Sequence, residues 1–354
     1  MANKPIVIAL DAMGGDYAPV ETVKGAIQGA KVYGVAVELV GNPSVIQAEL
    51  DKYDTRGLDL RIVEALDEIG MDEVPTVALR KKKNASIAVT ARRVKEGHAD
   101  AMVAAGSTGA ALAATLFNIG RIKGVDRPAI GVALPSQRTP TLMIDGGANA
   151  DCTPELLVQF ARLGRAYVQG VYGIEHPKVG LLNIGSEEGK GNAFSKEAFT
   201  LLKAATDLSF AGNAEGRDFF ISEFDVIVSD GFSGNVALKS AEGMATLFGR
   251  LIKQELTRNI WTKLVALLVK PILEKARKHI HHEYVGGALL LGINGICIIA
   301  HGGSSALAIE NAIRLAVAGV KGDVMRKMVE ASRLNVDAAV TVEQDSEASE
   351  ISAV

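Results

Sequence analysis

The chain has 354 residues, 48% of them apolar and only 5% aromatic, so it can bury a large core. Its formal net charge of −3 supplies no global basic field for nucleic acid. The two cysteines, Cys152 and Cys297, lie far apart and argue against a disulfide framework or a cysteine zinc site.

The N-terminus, Met1-Ala-Asn-Lys-Pro5, runs into a strand-like segment without the charged and long apolar regions of a secretory signal. Short β-branched runs predict strands at Ile6–Leu10, Val35–Val40, Ala101–Ala104, Ile130–Ala133, Thr141–Ile144, Val179–Leu182, Val226–Val228 and Ile296–Ile299. Most are apolar throughout, the pattern of strands covered on both faces in a mostly parallel sheet. Helical stretches at Ser86–Glu96, Pro154–Tyr167 and Lys196–Ala205 alternate with them. The expectation is a doubly wound α/β sheet with flanking helices, with residues 1–333 forming one catalytic unit.

The segment Asn235–Lys278 departs from that rhythm and reads as one long helical pattern broken at Pro271. It forms a basic amphipathic segment over about 236–280. The uncharged stretch Val285–Ala300 is interrupted by glycines and is shorter than the ~18 residues of a membrane span. A cytoplasmic address is expected, with peripheral membrane contact left open. Residues 334–354 carry Glu343, Asp345, Glu347 and Glu350 and read as an acidic, disordered tail.

Chemistry is expected where the strand runs end in glycine and small polar residues. These loops are Asp11–Asp16, Gly106–Gly109, Asp145–Asp151, Asn183–Asn192, Gly212–Arg217, Asp230–Asn235 and His301–Ser305. Glycines permit close backbone approach, and a helix starting after such a loop offers N–H groups to an anion. Any one such turn is ordinarily a connector, but seven are expected to converge on one pocket for a tetrahedral anion. Gly185–Lys190 is one residue short of a P-loop and lacks the following Ser/Thr. Dinucleotide, nucleophile-elbow and HExxH motifs are missing from the sequence. Lys190, among glycines and near Asn192, suits either a phosphate contact or a solvated loop. His279, His281, His282 and Glu283 lack a recognised metal-ligand spacing, and no metal is expected. Cys152 reads as a small packed thiol rather than a nucleophile.

In this order the loops resemble the phosphate acyltransferase family of bacterial phospholipid synthesis. The matching elements are Asp11–Asp16, Arg80–Ser86, Gly106–Ala110, Gly120–Pro128, Asp145–Asn149, Leu182–Gly185 through Lys190–Asn192, Asp230–Asn235 and Ala300–Gly302. The resemblance implies a fold akin to phosphotransacetylases and isocitrate/isopropylmalate dehydrogenases. It implies reversible transfer of a fatty acyl group from acyl carrier protein to inorganic phosphate, without a metal or redox cofactor. It also implies a homodimer whose product passes to a membrane glycerol-3-phosphate acyltransferase.

For that reaction Lys190, Asp230 and Asn235 are the catalytic candidates. The substrate-binding candidates are Asp11, Gly14, Gly15, Asp16, Asn84, Ser86, Gly106, Ser107, Thr108, Gly109, Asn149, Asp151, Ser186, Asn192, Gly231, Gly234 and His301. An acidic carrier protein or an anionic membrane would meet Arg250, Lys253, Arg258, Trp261, Lys263, Leu264, Leu268 and Lys270. Packing of the same apolar stripe on a dimer partner competes with that reading. The rival functions are a short-chain acyl-CoA phosphotransacetylase, a decarboxylating dehydrogenase and a non-catalytic membrane adaptor.

Overall fold

The computed structural model describes residues 4–70, 72–280 and 286–335, without the side chains of 276–280. In chain order the first half is β1 (Val7–Asp11), α1 (Val20–Tyr33), β2 (Ala36–Gly41), α2 (Pro43–Leu50), β3 (Leu60–Glu64), α3 (Pro75–Lys81), α4 (Ser86–Lys95), β4 (Ala101–Ala104), α5 (Thr108–Asn118), β5 (Ala129–Leu134) and β6 (Thr141–Ile144). There follow α6 (Pro154–Val171), β7 (Lys178–Leu182), α7 (Ala193–Ala204), β8 (Ser209–Ala214), a 3-10 turn at Gly216–Phe220 and β9 (Val226–Val228). The chain continues with α8 (Gly231–Leu256), α9 (Ile260–Ile280), β10 (Ala288–Leu291), β11 (Ile296–Ile299) and α10 (Ala306–Lys321). A last helix, α11, covers 324–335.

The strands form one eleven-stranded sheet in the order β3-β2-β1-β4-β11-β10-β5-β6-β9-β7-β8. Alternating strand residues feed two different cores, as the pleat requires. Ile8, Leu10, Ala101, Val103, Leu142, Ile144, Val226 and Val228 pack with residues of α1, α6, α7 and α10 on one face. Met102, Ala104, Cys297 and Ile299 pack on the other face with α4 and α5. Farther along that second face, Met143 and Ile227 pack near Ala237 and Leu238 of α8. Thus α5 and α8 cover the same side of the sheet. Helix α4 is pinned by Arg93, whose Nε and Nη2 each lie 2.7 Å from the Glu38 carboxylate on β2. The Glu38 side chain is only 3% exposed, so this charge requires such a partner.

Pairing is mostly parallel, but the direction reverses inside the sheet. Strands β3, β2, β1, β4 and β11 run together. Strand β10 is antiparallel to β11 and to β5, and β5 is antiparallel to β6. Strands β6, β9, β7 and β8 then run together in the opposite direction to the first block.

The break predicted at Pro271 lies elsewhere. Helix α9 continues through Pro271, and the interruption is at 257–259. There Thr262 N donates to Asn259 Oδ1 (2.9 Å) and Asn259 N donates to Thr262 Oγ1 (3.1 Å). That reciprocal cap starts a new helix, whereas Pro271 interrupts only a hydrogen bond on an exposed helix. Of the expected tail, 334–335 complete α11, and 336–354 lie outside the described residues.

Candidate active site

Three strand ends of the first block interlock. Asp11 closes β1 and is 3% exposed, and Met13 N donates to its Oδ1 at 3.2 Å. Ser86, 2% exposed at the start of α4, hydrogen-bonds the same carboxyl. Gly15 has φ +106°, and a side chain there would lie 2.8 Å from the Ala105 carbonyl oxygen after β4. Only glycine allows that approach without strain. Asp16 N donates to the Gly302 carbonyl after β11 (2.9 Å), and Gly303 N donates to His301 Nδ1 (3.1 Å). Ser107 caps α5, its Oγ accepting from Ala110 N at 3.4 Å. Thr108 and Gly109 are exposed on the first turn of α5.

Asp11, Met13, Gly14, Glu68, Ile69, Ser86, Ile87, Ala104, Gly106, Ser107, Ala110 and Ala111 line a small recess. Five of the sequence candidates, Asp11, Gly14, Ser86, Gly106 and Ser107, therefore meet there. Asn84 lies just outside on an exposed turn and accepts from Arg92 at 3.3 Å. Burial, foremost, and the charge of Glu68 push the Asp11 carboxyl up to about 6, against the hydrogen bonds from Ser86, Met13 and Gly14.

A second cluster forms at the ends of β6 and β9. Buried Asp145 accepts from the N–H groups of Ile130, Gly147, Ala148 and Asn149 at 2.7–3.1 Å, and from Asn149 Nδ2 at 2.9 Å. Asp145 therefore organises its own loop and has little capacity left for a ligand. Asp230 caps α8 by accepting from Ser233 N (2.8 Å), and Gly231 N donates to the Asn149 carbonyl (2.8 Å). Asn235 lies over Gly147, Asp151 is exposed, and Gly231 and Gly234 are buried under the first turn. Beside them Cys152 Sγ lies 3.5 Å from the Asn149 carbonyl.

A third cluster follows β7. Asn192 caps α7 by accepting from Ser195 N (2.9 Å), and Ser186 is exposed. The Lys190 side chain is 50% exposed, and its Nζ lies 3.9 Å from Glu187 on the same loop.

The expectation that all these tips share one sheet edge is corrected. Strand reversal puts the Asp11, Gly106 and His301 loops at one edge, and the Asp145, Lys190 and Asp230 loops at the other. An apolar run carries no mark of its direction, so the sequence could not show this. What the first two clusters share is a face: α5 starts from one and α8 from the other. Ala148, inside the second cluster, packs against the core beneath α5. The Lys190 loop instead leads into α7 on the opposite face. Sequence reasoning missed Glu68 and Met13 as parts of the recess. Glu68 lies in an irregular polar connector, and only its fold beside α4, through the Asp67–Ala85 bridge, brings it to Asp11.

On α8 and α9, Trp261 is 75% exposed and Leu268 80%, with Leu264 and Phe248 also exposed. Arg258 pairs with Glu255 at 3.6 Å and Lys270 with Glu274 at 3.8 Å. The backbones of Arg250, Lys253 and Lys263 lie on the same two helices. Among the described residues, no helix is long and apolar enough to cross a membrane. Among them also, no group of three or more His, Cys, Asp or Glu is placed to hold a metal ion. His281, His282 and Glu283 lie outside the described residues, and the His279 side chain is not described.

The family model for "Fatty acid synthesis protein" matches residues 6–327. A phosphate acyltransferase of Trichodesmium erythraeum is 45% identical over 330 residues, covering 93% of this chain and 97% of that protein. One from Heliobacterium modesticaldum is 50% identical over 315 residues, covering 89% and 94%. The chain belongs to the phosphate acyltransferase family. Members of that family are acyltransferases, and every loop described above lies within the matched span. The fold is also that of a phosphotransacetylase from Streptococcus pyogenes, with a TM-score of 0.60 at 19% identity, over 90% of this chain and 94% of that one.

Proposed function

We propose that the chain reversibly transfers a fatty acyl group from an acyl-carrier-protein thioester to inorganic phosphate. The products are an acyl phosphate and free carrier protein, and the step serves phospholipid synthesis. The observation that carries this reading is 45–50% identity to phosphate acyltransferases along nearly the whole chain. Phosphate is its own nucleophile at neutral pH, so the protein has to position it and stabilise charge. The amides of Gly106–Gly109 at the start of α5 are assigned to phosphate. Asp230 and Asn235 open α8 at the opposite end of the sheet, so they are not assigned to that phosphate. Lys190 lies at that far end too and on the opposite face, so it is not assigned to that phosphate either, whereas Asp16, Asn84 and His301, at the near end, are assigned to shaping the approach.

The exposed α8–α9 arm, with Arg250, Lys253, Arg258, Trp261, Lys263, Leu264, Leu268 and Lys270, is assigned to the acidic carrier protein and to an anionic membrane surface. That surface fits a cytoplasmic enzyme acting as a homodimer beside the membrane. The acyl phosphate would pass there to a glycerol-3-phosphate acyltransferase.

The test is incubation with palmitoyl-carrier protein, palmitoyl-CoA or acetyl-CoA plus phosphate, with acyl phosphate trapped as the hydroxamate. Turnover is expected with the palmitoyl carrier protein and should greatly exceed that with acetyl-CoA. Preference for acetyl-CoA would instead make the chain a short-chain phosphotransacetylase. In the same assay Lys190→Ala is expected to leave kcat and phosphate KM within about threefold of wild type, because among the described residues this half-exposed lysine meets only Glu187 of its own loop. A phosphate KM raised about tenfold would instead bring Lys190 to the phosphate and overturn that placement.

A further inference from the structure

We propose that Asp11 is the proton relay of the acyl transfer, carrying the proton of the attacking hydrogenphosphate to the departing thiolate. The inference rests on the acyl-to-phosphate reading above and assigns a step within it.

The proton balance of the reaction calls for such a group. An oxygen of hydrogenphosphate attacks the thioester carbonyl carbon, and a C–O bond forms. The tetrahedral oxyanion collapses, the C–S bond breaks, and the electron pair leaves on sulfur. The acyl phosphate no longer holds the proton that hydrogenphosphate carried, and the thiolate needs one to become the free thiol. One proton has therefore to move from a phosphate oxygen to sulfur, with none gained or lost overall. A single carboxylate that accepts and then donates performs this without an external acid or base.

Asp11 is the carboxylate built for that task. It lies in a recess with Ser107 and Gly106, at the opening of α5. A side-chain carbon on Gly14 would lie 2.7 Å from Asp11 Oδ2 and 3.3 Å from Gly106 N. The bare Gly14 thus lies between the carboxyl oxygen and the backbone that begins the phosphate loop, with no side chain separating them. Asp11 is itself held by its loop, with Met13 N on Oδ1, but the other acidic groups near the strand ends are more fully engaged or solvated. Asp145 spends both oxygens on its own loop, Asp230 caps α8, and Asp16 is exposed.

The surroundings tune Asp11 for two-way transfer. Burial raises it to about 6, between an ordinary carboxylate and a thiol. Glu68 is the charged group that acts on it, in the raising direction, while hydrogen bonds from Ser86 and the Met13 and Gly14 amides hold it down. Such a group is available both as base and as acid near neutral pH.

The experiment compares acyl hydroxamate formation from two palmitoyl thioesters, one of an alkyl thiol (pantetheine) and one of a far more acidic aryl thiol. Asp11→Asn is expected to lower kcat about 10²–10⁴-fold with the alkyl ester, as for loss of general acid–base catalysis. With the aryl ester, whose thiolate leaves unaided, most of that loss should disappear. The phosphate KM should stay within about threefold, because a relay does not add uniform binding. Equal losses on both esters, or a raised phosphate KM at unchanged kcat, would overturn the relay. Ser86→Ala provides a second reading in a milder variant. Removing a hydrogen bond that lowers Asp11 should move the rising limb of kcat/KM, near pH 6, to higher pH. A limb that stays in place also overturns the proposal. Wild-type turnover comes first, so failure of the relay and failure of the parent reaction give different results. Turnover with indifferent variants removes only the relay, and no wild-type turnover even with palmitoyl-carrier protein removes both.

Discussion

A methyl group on Gly234 would lie 2.0 Å from the Asp145 carbonyl oxygen and 2.7 Å from Ser229 Oγ. The first of these atoms is backbone and belongs to a loop fixed by the Asp145 carboxylate, so it has nowhere to move. Gly234→Ala is therefore expected to cost about 2–3 kcal/mol, in the range of overpacked cores. A lowered urea midpoint at unchanged m-value would report it, and an unchanged midpoint would show that the α8 turn can lift off the loop. Nearby Cys152 is held away from nucleophilic use for a related reason. Burial, foremost, pushes its thiol up to about 11, against a hydrogen bond from the Gly231 amide. At neutral pH it stays protonated, which leaves attack on the thioester to phosphate itself.

Helices α8 and α9 gain little from the core: Gly231 and Gly234 are the buried residues of α8, both in its first turn. A helix with Trp261, Leu267, Leu268 and Ile272 all well exposed needs a second surface to cover it. If that surface is an anionic membrane, each basic residue near it contributes about 1 kcal/mol. Lys263→Glu with Lys270→Glu is then expected to weaken binding to anionic vesicles by at least tenfold, and added salt should weaken the wild type. Sedimentation with phosphatidylglycerol vesicles measures both, and undiminished binding of the double variant would reassign the face to a protein partner. The arm itself was legible as a basic amphipathic pattern, while the position of its break was not. Elements buried on both sides were legible too, as apolar runs at β1, β4, β6 and β9. Strands β3 and β8 were missed because they are the sheet edges, with partly exposed, mixed sequences. Strand β10 was hidden inside a glycine-interrupted apolar stretch. The small polar residues after β1 and β4 announced part of a recess, but Glu68 joins it only through tertiary contact.

At the scale of the molecule, reversal of the sheet divides the work between its faces. The side bearing α5 and α8 carries the Asp11 recess and the Asp230 turn, whereas the opposite side carries fastenings. There Arg162 and Arg165 of α6 pair with Asp207 just before β8, each with an Nη at 3.0 Å. Arg165 also donates to the Asp207 carbonyl, and Arg162 donates to Asn335 at the end of α11 (2.8 Å). Asn335 in turn donates to the Gly124 carbonyl (3.3 Å), so one cluster ties four separate parts of the chain. Burial alone would raise Asp207, but the hydrogen bonds and charges of the two arginines outweigh it and hold the carboxyl below its ordinary value. A lowered folded value means that the stabilisation is present at neutral pH and is lost as pH falls through the carboxylate range. Asp207→Ala leaves two mostly buried guanidinium groups short of a partner and is expected to cost about 3 kcal/mol at pH 7. The cost should shrink toward pH 3, where the wild type loses the same interaction. Because the cluster lies on the face away from α5 and α8, hydroxamate turnover per folded molecule should remain within about twofold of wild type. Urea unfolding at pH 7 and pH 3, beside the turnover assay, separates these effects. A large fall in turnover at unchanged stability would mean that the two faces are coupled.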